Sequence, residues 1–148
     1  MTKDLKRIYL ADDDDDDCML FQDALNEMNF KIELTVSKDG EELMKTFEES
    51  VPPPPHVLFL DLNMPRKSGF ECLREMKQNV KLKDIPVVIF STSGDQGNIQ
   101  RTFHEGANYY ARKPGTFEML KQLIEQVLSI NWTDNNVPRQ LEKFVLQP

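Results

Sequence analysis

The chain has 148 residues, a length that suits one ordinary α/β domain and is too short for a core plus a second folded module. Its formal net charge of −7 argues against nucleic acid or an anionic membrane surface as the main partner, because both require clustered Lys and Arg. No apolar run approaches the roughly 20 residues of a membrane helix, and the first residues lead into a short strand rather than a signal-peptide core. We therefore expect a cytoplasmic protein.

The chain begins with a predicted strand and helix. The apolar run from Ile8 to Ala11 is typical of a buried strand, and six aspartates, Asp12 to Asp17, follow it. Apolar residues then recur at helical spacing: Leu20, Phe21, Ala24, Leu25 and Met28. We expect the last four aspartates, Asp14 to Asp17, to cap this helix and fill its first turn, where they face the positive end of the helix dipole, rather than to act as ligands.

The second unit pairs an exposed strand with a helix that four prolines terminate. Alternation of Ile32, Leu34 and Val36 predicts an edge strand. The inner stripe of the following helix comprises Leu43, Met44 and Phe47. The run from residue 51 to residue 56 predicts a stiff, extended connector back to the central strand. A proline ligand for an aromatic groove of another protein is the alternative.

The third apolar run ends abruptly in a carboxylate. Val57 to Leu60 predicts a strand buried on both faces, and Asp61 opens the loop that follows it. In an open parallel sheet, functional groups lie at the carboxyl ends of the strands. Asp61 occupies such a position, although Asp before a Met-Pro turn also serves as a turn former.

The remaining segments complete five strand-helix units. Residues 86–90 form a fourth buried strand that ends at Ser91, and residues 108–112 form a fifth that runs into Lys113. Helices are predicted around Phe70, Leu73 and Met76, around Ile99, Phe103 and Ala107, and from Phe117 to near Ile130. This pattern predicts an α/β, flavodoxin-like, doubly wound, five-stranded parallel sheet with strand order 2-1-3-4-5.

That strand order brings the strand ends into one crevice. Asp12 and Asp13 follow strand 1, Asp61 follows strand 3, Ser91 closes strand 4 and Lys113 follows strand 5. Three neighbouring carboxylates repel one another unless a cation lies among them, and Mg²⁺ suits an all-oxygen ligand set. A carboxylate beside that ion is a candidate nucleophile for phosphoryl transfer, with Lys113 and Ser91 placed to receive phosphoryl oxygens.

Together, in this order and spacing, these motifs resemble those of response-regulator receiver domains of the single-domain, chemotaxis-like type, over about residues 5 to 130. The motifs are the acidic pair Asp12-Asp13, the loop from Asp61 to Pro65 with Gly69, the hydroxyls of Ser91 and Thr92, Tyr110, and Lys113-Pro114. We expect residues 1–130 to form the receiver domain and residues 131–148 a C-terminal extension without a separate output domain.

The resemblance implies a phosphoryl site. Asp61 would accept a phosphoryl group from a histidine kinase or phosphotransfer protein. Asp13 and Asp61 would bind Mg²⁺ directly, Asp12 would act mainly through water, and Asn63 would contribute its backbone carbonyl. The acidic pair lies within the run of six aspartates. Because the apolar run ends at Ala11, the pair is Asp12 and Asp13, whereas a slip of one residue would make it Asp13 and Asp14.

The resemblance also implies a route for the signal. Ser91 and Tyr110 would form a switch pair that moves when the phosphoryl group arrives, and Lys113-Pro114 would carry a cis peptide bond. The affected surface would comprise helix 4, strand 5 and helix 5, residues 99–130. Tyr110 as a half-buried aromatic of an edge strand is the plainer reading. The extension would pack on the domain, form a homodimer contact, or both.

Three functions compete at this point. The main prediction is a stand-alone phospho-accepting signalling protein that is not an enzyme and that changes its binding surface for a downstream partner. The second is a Mg²⁺-dependent phosphohydrolase with Asp61 as nucleophile, although Asn63 stands where a general acid would be needed. The third is an unphosphorylated interaction module, which would be expected to have lost the acidic pair or the lysine. His56 and His104 have no ligand partners at useful spacing and are expected to be structural or surface residues.

Overall fold

The computed structural model describes residues 5–130, 132 and 140–146, which form one five-stranded parallel sheet flanked by helices. The strands are β1 (Leu5–Ala11), β2 (Lys31–Ser37), β3 (Val57–Leu60), β4 (Val87–Ser91) and β5 (Tyr109–Arg112). The helices are α1 (Asp15–Asn26), α2 (Gly40–Ser50), α3 (Gly69–Lys77), α4 (Gln96–His104), α5 (Phe117–Leu128) and the short α6 (Leu141–Phe144). The strand order β2-β1-β3-β4-β5 confirms the predicted flavodoxin-like fold.

Two apolar cores sandwich the sheet. Strands β3 and β4 are buried along their whole length, as continuous apolar runs between two helical layers should be. The core on one face is built with α1 and α5, and the core on the other with α2, α3 and α4. Because every connection is a crossover between parallel strands, the carboxyl ends of all five strands point to the same edge of the sheet.

The helices begin where side chains cap them. Asp14 is the N-cap of α1 and accepts a hydrogen bond from the backbone N–H of Asp17, which confirms the predicted capping role of this acidic run. Ser68 and Glu71 form a capping box that starts α3 close to the Asp61 loop. Helix α4 ends at His104, so Ala107, predicted as part of that helix, lies beyond it. Gly106 follows the C-cap residue Glu105 and has a φ of 100°, a conformation that favours glycine and that ends the helix.

The C-terminal segment, residues 140–146, packs against β5. The backbone of Val145 bridges to Tyr110 in the parallel sense, and the Leu146 N–H donates to the Tyr110 carbonyl at 2.8 Å. Phe144 is 1% exposed in the core beside α4, and its ring lies 5.2 Å from that of Phe103. The described part of the predicted extension therefore continues the fold along the outer edge of β5.

The predicted cis bond before Pro114 is wrong. The peptide bond between Lys113 and Pro114 is trans, the form that X–Pro bonds favour by about 0.5–1 kcal/mol. Cis bonds occur instead at Val51–Pro52 and Pro52–Pro53, in the connector to β3. Among the residues that the structure describes, no helix has the length and apolar character to cross a membrane.

Candidate functional site

The pairing of β1 with β3 brings two carboxylates together. Ala11 and Leu60 are partners in the sheet, and each is followed at once by an aspartate. The Asp61 N–H donates to the Ala11 carbonyl at 2.9 Å, which continues the ladder one residue beyond β3. Asp12 is fully buried and Asp61 is 7% exposed, so both carboxylates lie at the bottom of the crevice.

Asp13 completes an acidic cluster at this end of the sheet. Asp12, Asp13 and Asp61 each offer a carboxylate oxygen, and these three oxygens lie within 4.8 Å of one another. Asp13 is exposed, so the cluster opens to solvent on its side. Oxygen ligands alone suit a hard divalent cation such as Mg²⁺ or Mn²⁺. Asp14, the alternative partner in the acidic pair, caps α1 instead.

Lys113 places its ammonium among three carboxylates. The Nζ atom lies 2.8 Å from Asp12 Oδ2, 2.8 Å from Asp17 Oδ2 and 3.2 Å from Asp61 Oδ2. It donates hydrogen bonds to Asp17 and Asp61. Burial opposes the charge of Lys113, but the contacts with Asp12 and Asp17 and the charge of Asp61 outweigh it and raise the pKa of Lys113. The ammonium is therefore charged at neutral pH.

Asp12 is the most confined group in the cluster. Its Oδ1 accepts a hydrogen bond from the Asp14 N–H at 2.9 Å. Its Oδ2 contacts Lys113 outside the angular range of a hydrogen bond, so this buried oxygen has a counter-ion but no hydrogen-bond donor. Burial raises the pKa of Asp12, and the contact with Lys113 offsets only part of that effect. A cation that bound this oxygen would remove the imbalance, so the residues present fit a divalent ion.

Contacts in the loop after β3 hold Asp61 in place. Asp61 Oδ1 accepts a hydrogen bond from the Leu62 N–H at 2.7 Å. Gly69, the first residue of α3, packs so closely that a Cβ there would lie 2.1 Å from the Asp61 carbonyl oxygen. Only glycine permits that approach without a shift of the loop. Asn63 is exposed in the same loop, and its predicted role as a carbonyl ligand stays a prediction.

Ser91 and Tyr110 are linked through the β4-α4 loop, residues 92–95. Ser91 is fully buried at the end of β4, and its Oγ accepts a hydrogen bond from the Ser93 N–H at 3.2 Å. The Tyr110 hydroxyl donates to the Ser93 carbonyl at 2.6 Å. The Lys113 N–H donates to the Ser91 carbonyl at 2.8 Å, so the ends of β4 and β5 are joined directly. The predicted switch residues thus share one loop.

Tyr110 is more buried than the plainer reading expected. Its side chain is 0% exposed, and its ring centroid lies 6.2 Å from that of Phe144. Since the C-terminal segment runs along the outer edge of β5, the reading of Tyr110 as half-buried in an edge strand is wrong. The segment also contacts the predicted signalling surface formed by α4 and β5, so part of that surface is covered by the chain itself.

Comparison with known protein families agrees with this geometry. The model of the response regulator receiver domain matches residues 8–125, which is most of the chain. The chain belongs to this family. As a receiver domain it is a module of two-component response regulators, and the resemblance seen in its motifs is confirmed.

Two curated relatives cover most of this receiver domain. A probable chemotaxis protein CheY of Rhizobium etli is 34% identical over 121 residues, which span 82% of this chain and 91% of that protein. The response regulator Rcp1 of Synechocystis sp. is 32% identical over 128 residues, or 84% of this chain and 87% of Rcp1.

Solved structures of receiver proteins share the fold. The phosphorylated cyanobacterial phytochrome response regulator RcpA superposes with a TM-score of 0.79 at 30% identity, covering 90% of this chain and 98% of RcpA. The Mn²⁺-bound form of Rcp1 superposes with a TM-score of 0.76 at 31% identity, covering 90% and 99% of the two chains. These relatives carry a phosphoryl group in one case and a divalent ion in the other.

Sequence reasoning missed one residue of the site. The sequence pattern places Asp17 only in the first turn of α1, whereas in the structure its carboxylate contacts Lys113. Asp17 is three residues beyond the N-cap, at a position from which its carboxylate reaches the lysine that follows β5. Helical spacing predicts which aspartate of the run points toward the site only if the first residue of the helix is known. The structure shows that this residue is Asp15.

Proposed function

We propose that this receiver domain accepts a phosphoryl group on Asp61 from a histidine kinase or phosphotransfer protein and signals through its surface rather than by acting on a substrate. One observation carries the proposal: a charged Lys113 lies 3.2 Å from Asp61 at the edge of the sheet where the carboxyl ends of the strands meet. That arrangement pairs a nucleophilic carboxylate with the cation that an incoming phosphoryl group needs.

The transfer uses Asp61 as the nucleophile. An Asp61 carboxylate oxygen attacks the phosphorus, the new P–O bond forms, and the bond between phosphorus and the donor breaks. Its electron pair leaves with the donor, which for a phosphohistidine is an imidazole nitrogen. Lys113 and the Ser91 hydroxyl would share the negative charge of the phosphoryl oxygens, as electrostatic stabilisation of phosphoryl transfer requires.

Mg²⁺ is the cofactor that we propose for this transfer. Asp12, Asp13 and Asp61 would hold the ion, with the backbone carbonyl of Asn63 as a further oxygen ligand. When bound, the ion would neutralise part of the charge on the transferred group. The all-oxygen donor set, the buried Oδ2 of Asp12 and the Mn²⁺ in the related Rcp1 structure support a divalent ion here.

The signal would leave through residues that contact Tyr110. Movement of Ser91 toward a phosphoryl oxygen would reposition the β4-α4 loop that Tyr110 holds by its hydroxyl. The surface of α4, β5 and α5, residues 99–130, would then change for a downstream partner or a second copy of the chain. Since Phe144 and Val145 cover part of it, the C-terminal segment would respond as well. A cytoplasmic location stays a prediction.

Phosphorylation with a small donor tests the assignment. Purified protein is incubated with acetyl phosphate and Mg²⁺, and intact-mass and peptide mass spectrometry follow the product. We expect one labile phosphoryl group on Asp61, its loss in Asp61→Asn, and a slower reaction in Lys113→Ala. Modification of Asp61→Asn at the wild-type rate would rule out this nucleophile. Multiple turnover of a phosphate ester would instead favour the phosphohydrolase.

A further inference from the structure

We propose that Asp17 is a positioning residue for Lys113 and holds its ammonium at the open side of the phosphoryl site. The inference rests on the proposed function and adds a residue from the acidic run that the receiver motifs leave unassigned. Lys113 Nζ donates a hydrogen bond to Asp17 Oδ2 at 2.8 Å, a shorter contact than its 3.2 Å hydrogen bond to Asp61 Oδ2.

The position of Asp17 follows from the start of α1. Asp14 caps the helix, and the Asp17 N–H donates to its Oδ1 at 3.0 Å, which orients this first turn. The Asp17 side chain is turned toward Lys113 and is 32% exposed, whereas the Asp15 side chain is 84% exposed and pairs with Lys38. Asp17 is therefore the acidic residue of the first turn that reaches the site.

The carboxylates around Lys113 differ in depth. The Asp12 side chain is 0% exposed and that of Asp61 is 9% exposed, so both pull the ammonium toward the bottom of the crevice. Asp17, at 32%, pulls it toward solvent. Because an ammonium has three N–H donors, Lys113 can keep its bond to Asp17 while another donor moves from Asp61 to a phosphoryl oxygen.

The Phe90 ring restricts the ammonium as well. Lys113 Nζ lies 5.6 Å from the ring centroid, within the range of a cation–π contact. With Asp17 removed, the strongest remaining attractions are the two buried carboxylates, and we expect Lys113 to relax onto them. A phosphoryl group arriving at Asp61 would then have to draw the ammonium back from that deeper position, which slows its acceptance.

Asp16 provides a matched control for the charge. It belongs to the same first turn, is exposed and removes the same charge when replaced by Ala. Both substitutions lose a favourable interaction with the helix dipole, so general effects on the helix and on the net charge cancel in the comparison. Only Asp17→Ala removes the hydrogen bond to Lys113.

The rate of phosphorylation by acetyl phosphate and the affinity for beryllofluoride, both with Mg²⁺, are measured for each variant. We expect Asp17→Ala to lower both by roughly three- to five-fold, the upper part of the range for a partly exposed ion pair. Asp16→Ala should match the wild type. Asp17→Asn keeps an oxygen acceptor without the charge and should fall between the two.

Two further measurements separate positioning from a structural effect. In a Lys113→Ala background, Asp17→Ala should cause no additional loss of beryllofluoride affinity. Without metal, the melting temperatures of the single and double variants should be non-additive, as for residues in contact.

Equal rates in Asp17→Ala and Asp16→Ala, a faster Asp17→Ala, or a loss that persists without Lys113 would each overturn the inference. A wild type that accepts neither phosphoryl group nor beryllofluoride would instead refute the proposed function, and this inference with it.

Discussion

The Leu146 N–H donates to the Tyr110 carbonyl at 2.8 Å, so the C-terminal segment is hydrogen-bonded to the residue whose side chain contacts the β4-α4 loop. An unpaired edge of a sheet is open to association with other chains, and this segment covers part of the outer edge of β5. Phe144 adds apolar contact on the α4 side. The segment is thus a structural part of the surface through which a signal would leave.

Replacing Phe144 by Ala should detach this segment. A buried Phe→Ala change costs about 3–5 kcal/mol, and local release of a short segment limits the loss in global stability to less than that. We therefore expect faster amide exchange at Leu146 and a melting temperature lowered by a few degrees. Exchange of the Asp61 amide, which is bonded within the sheet, should not change.

Leu141→Ala is the control for this change. Leu141 begins the same short helix but is 41% exposed, so its truncation should leave the exchange of Leu146 near the wild-type rate. If Phe144→Ala left the Leu146 amide as protected as before, the packing of Phe144 would not be what holds the segment to β5.

The Tyr110 hydroxyl should couple the phosphoryl site to the C-terminal segment. Tyr110→Phe removes one hydrogen bond, to the Ser93 carbonyl, at a cost of about 0.5–1.5 kcal/mol while the ring stays packed. In the wild type, beryllofluoride with Mg²⁺ should shift the amide resonances of Val145 and Leu146. In Tyr110→Phe, we expect normal phosphorylation of Asp61 and smaller shifts at these two amides.

The extent of the spectral change decides whether this route exists. If the shifts in the wild type stay confined to the loops around Asp13 and Asp61 and never reach Tyr110 or α4, the proposed coupling is absent. Coupling energies between sites are typically 1–3 kcal/mol, large enough for such shifts to be seen.

The sheet was predictable because its strands are short apolar runs that end in polar residues. The order of strands followed from the fold that these runs indicate, and it placed Asp12, Asp61 and Lys113 at one edge. Local pattern did not reveal the contact between Asp17 and Lys113, because it depends on the rotation of α1 relative to β5. The burial of Tyr110 depends on a segment more than 30 residues later, and no local signal predicts that pairing.

His56 should make the stability of the fold depend on pH. The Arg7 backbone N–H donates to His56 Nδ1 at 2.9 Å, and the backbone N–H of His56 donates to the Arg7 carbonyl at 2.8 Å. The imidazole thus adds one hydrogen bond to the backbone contact between the start of β3 and β1. Burial, followed by the charges of Arg7 and Lys6, lowers the pKa of His56 below its ordinary value of 6.5. The unfolded chain therefore binds a proton first as the pH falls.

The sign of the pH effect follows from that lowered pKa. Stability from neutral His56 is present above about pH 6.5 and is lost as the pH falls through the lower folded-state pKa, because protonated Nδ1 cannot accept the Arg7 N–H. Urea unfolding between pH 7.5 and pH 5 should show this loss, and it should be smaller in His56→Gln. His104→Gln, at an exposed position, should retain the wild-type profile. Identical profiles for all three proteins would contradict the role of His56.

Mg²⁺ should stabilise the folded chain through Asp13. Lys113 offsets only part of the burial and repulsion that act on the clustered carboxylates, since the pKa of Asp12 remains raised. An ion that binds only the folded state adds about 2.7 kcal/mol at a concentration of 100 times its Kd. We expect millimolar Mg²⁺ to raise the wild-type melting temperature by several degrees and Asp13→Ala to lose most of this shift.

Asp16→Ala removes an equal charge from the neighbouring helix turn and should keep the shift, which separates direct binding from a general effect of net charge. A wild-type melting curve that Mg²⁺ leaves unchanged would show that the carboxylate cluster is not a cation site under these conditions.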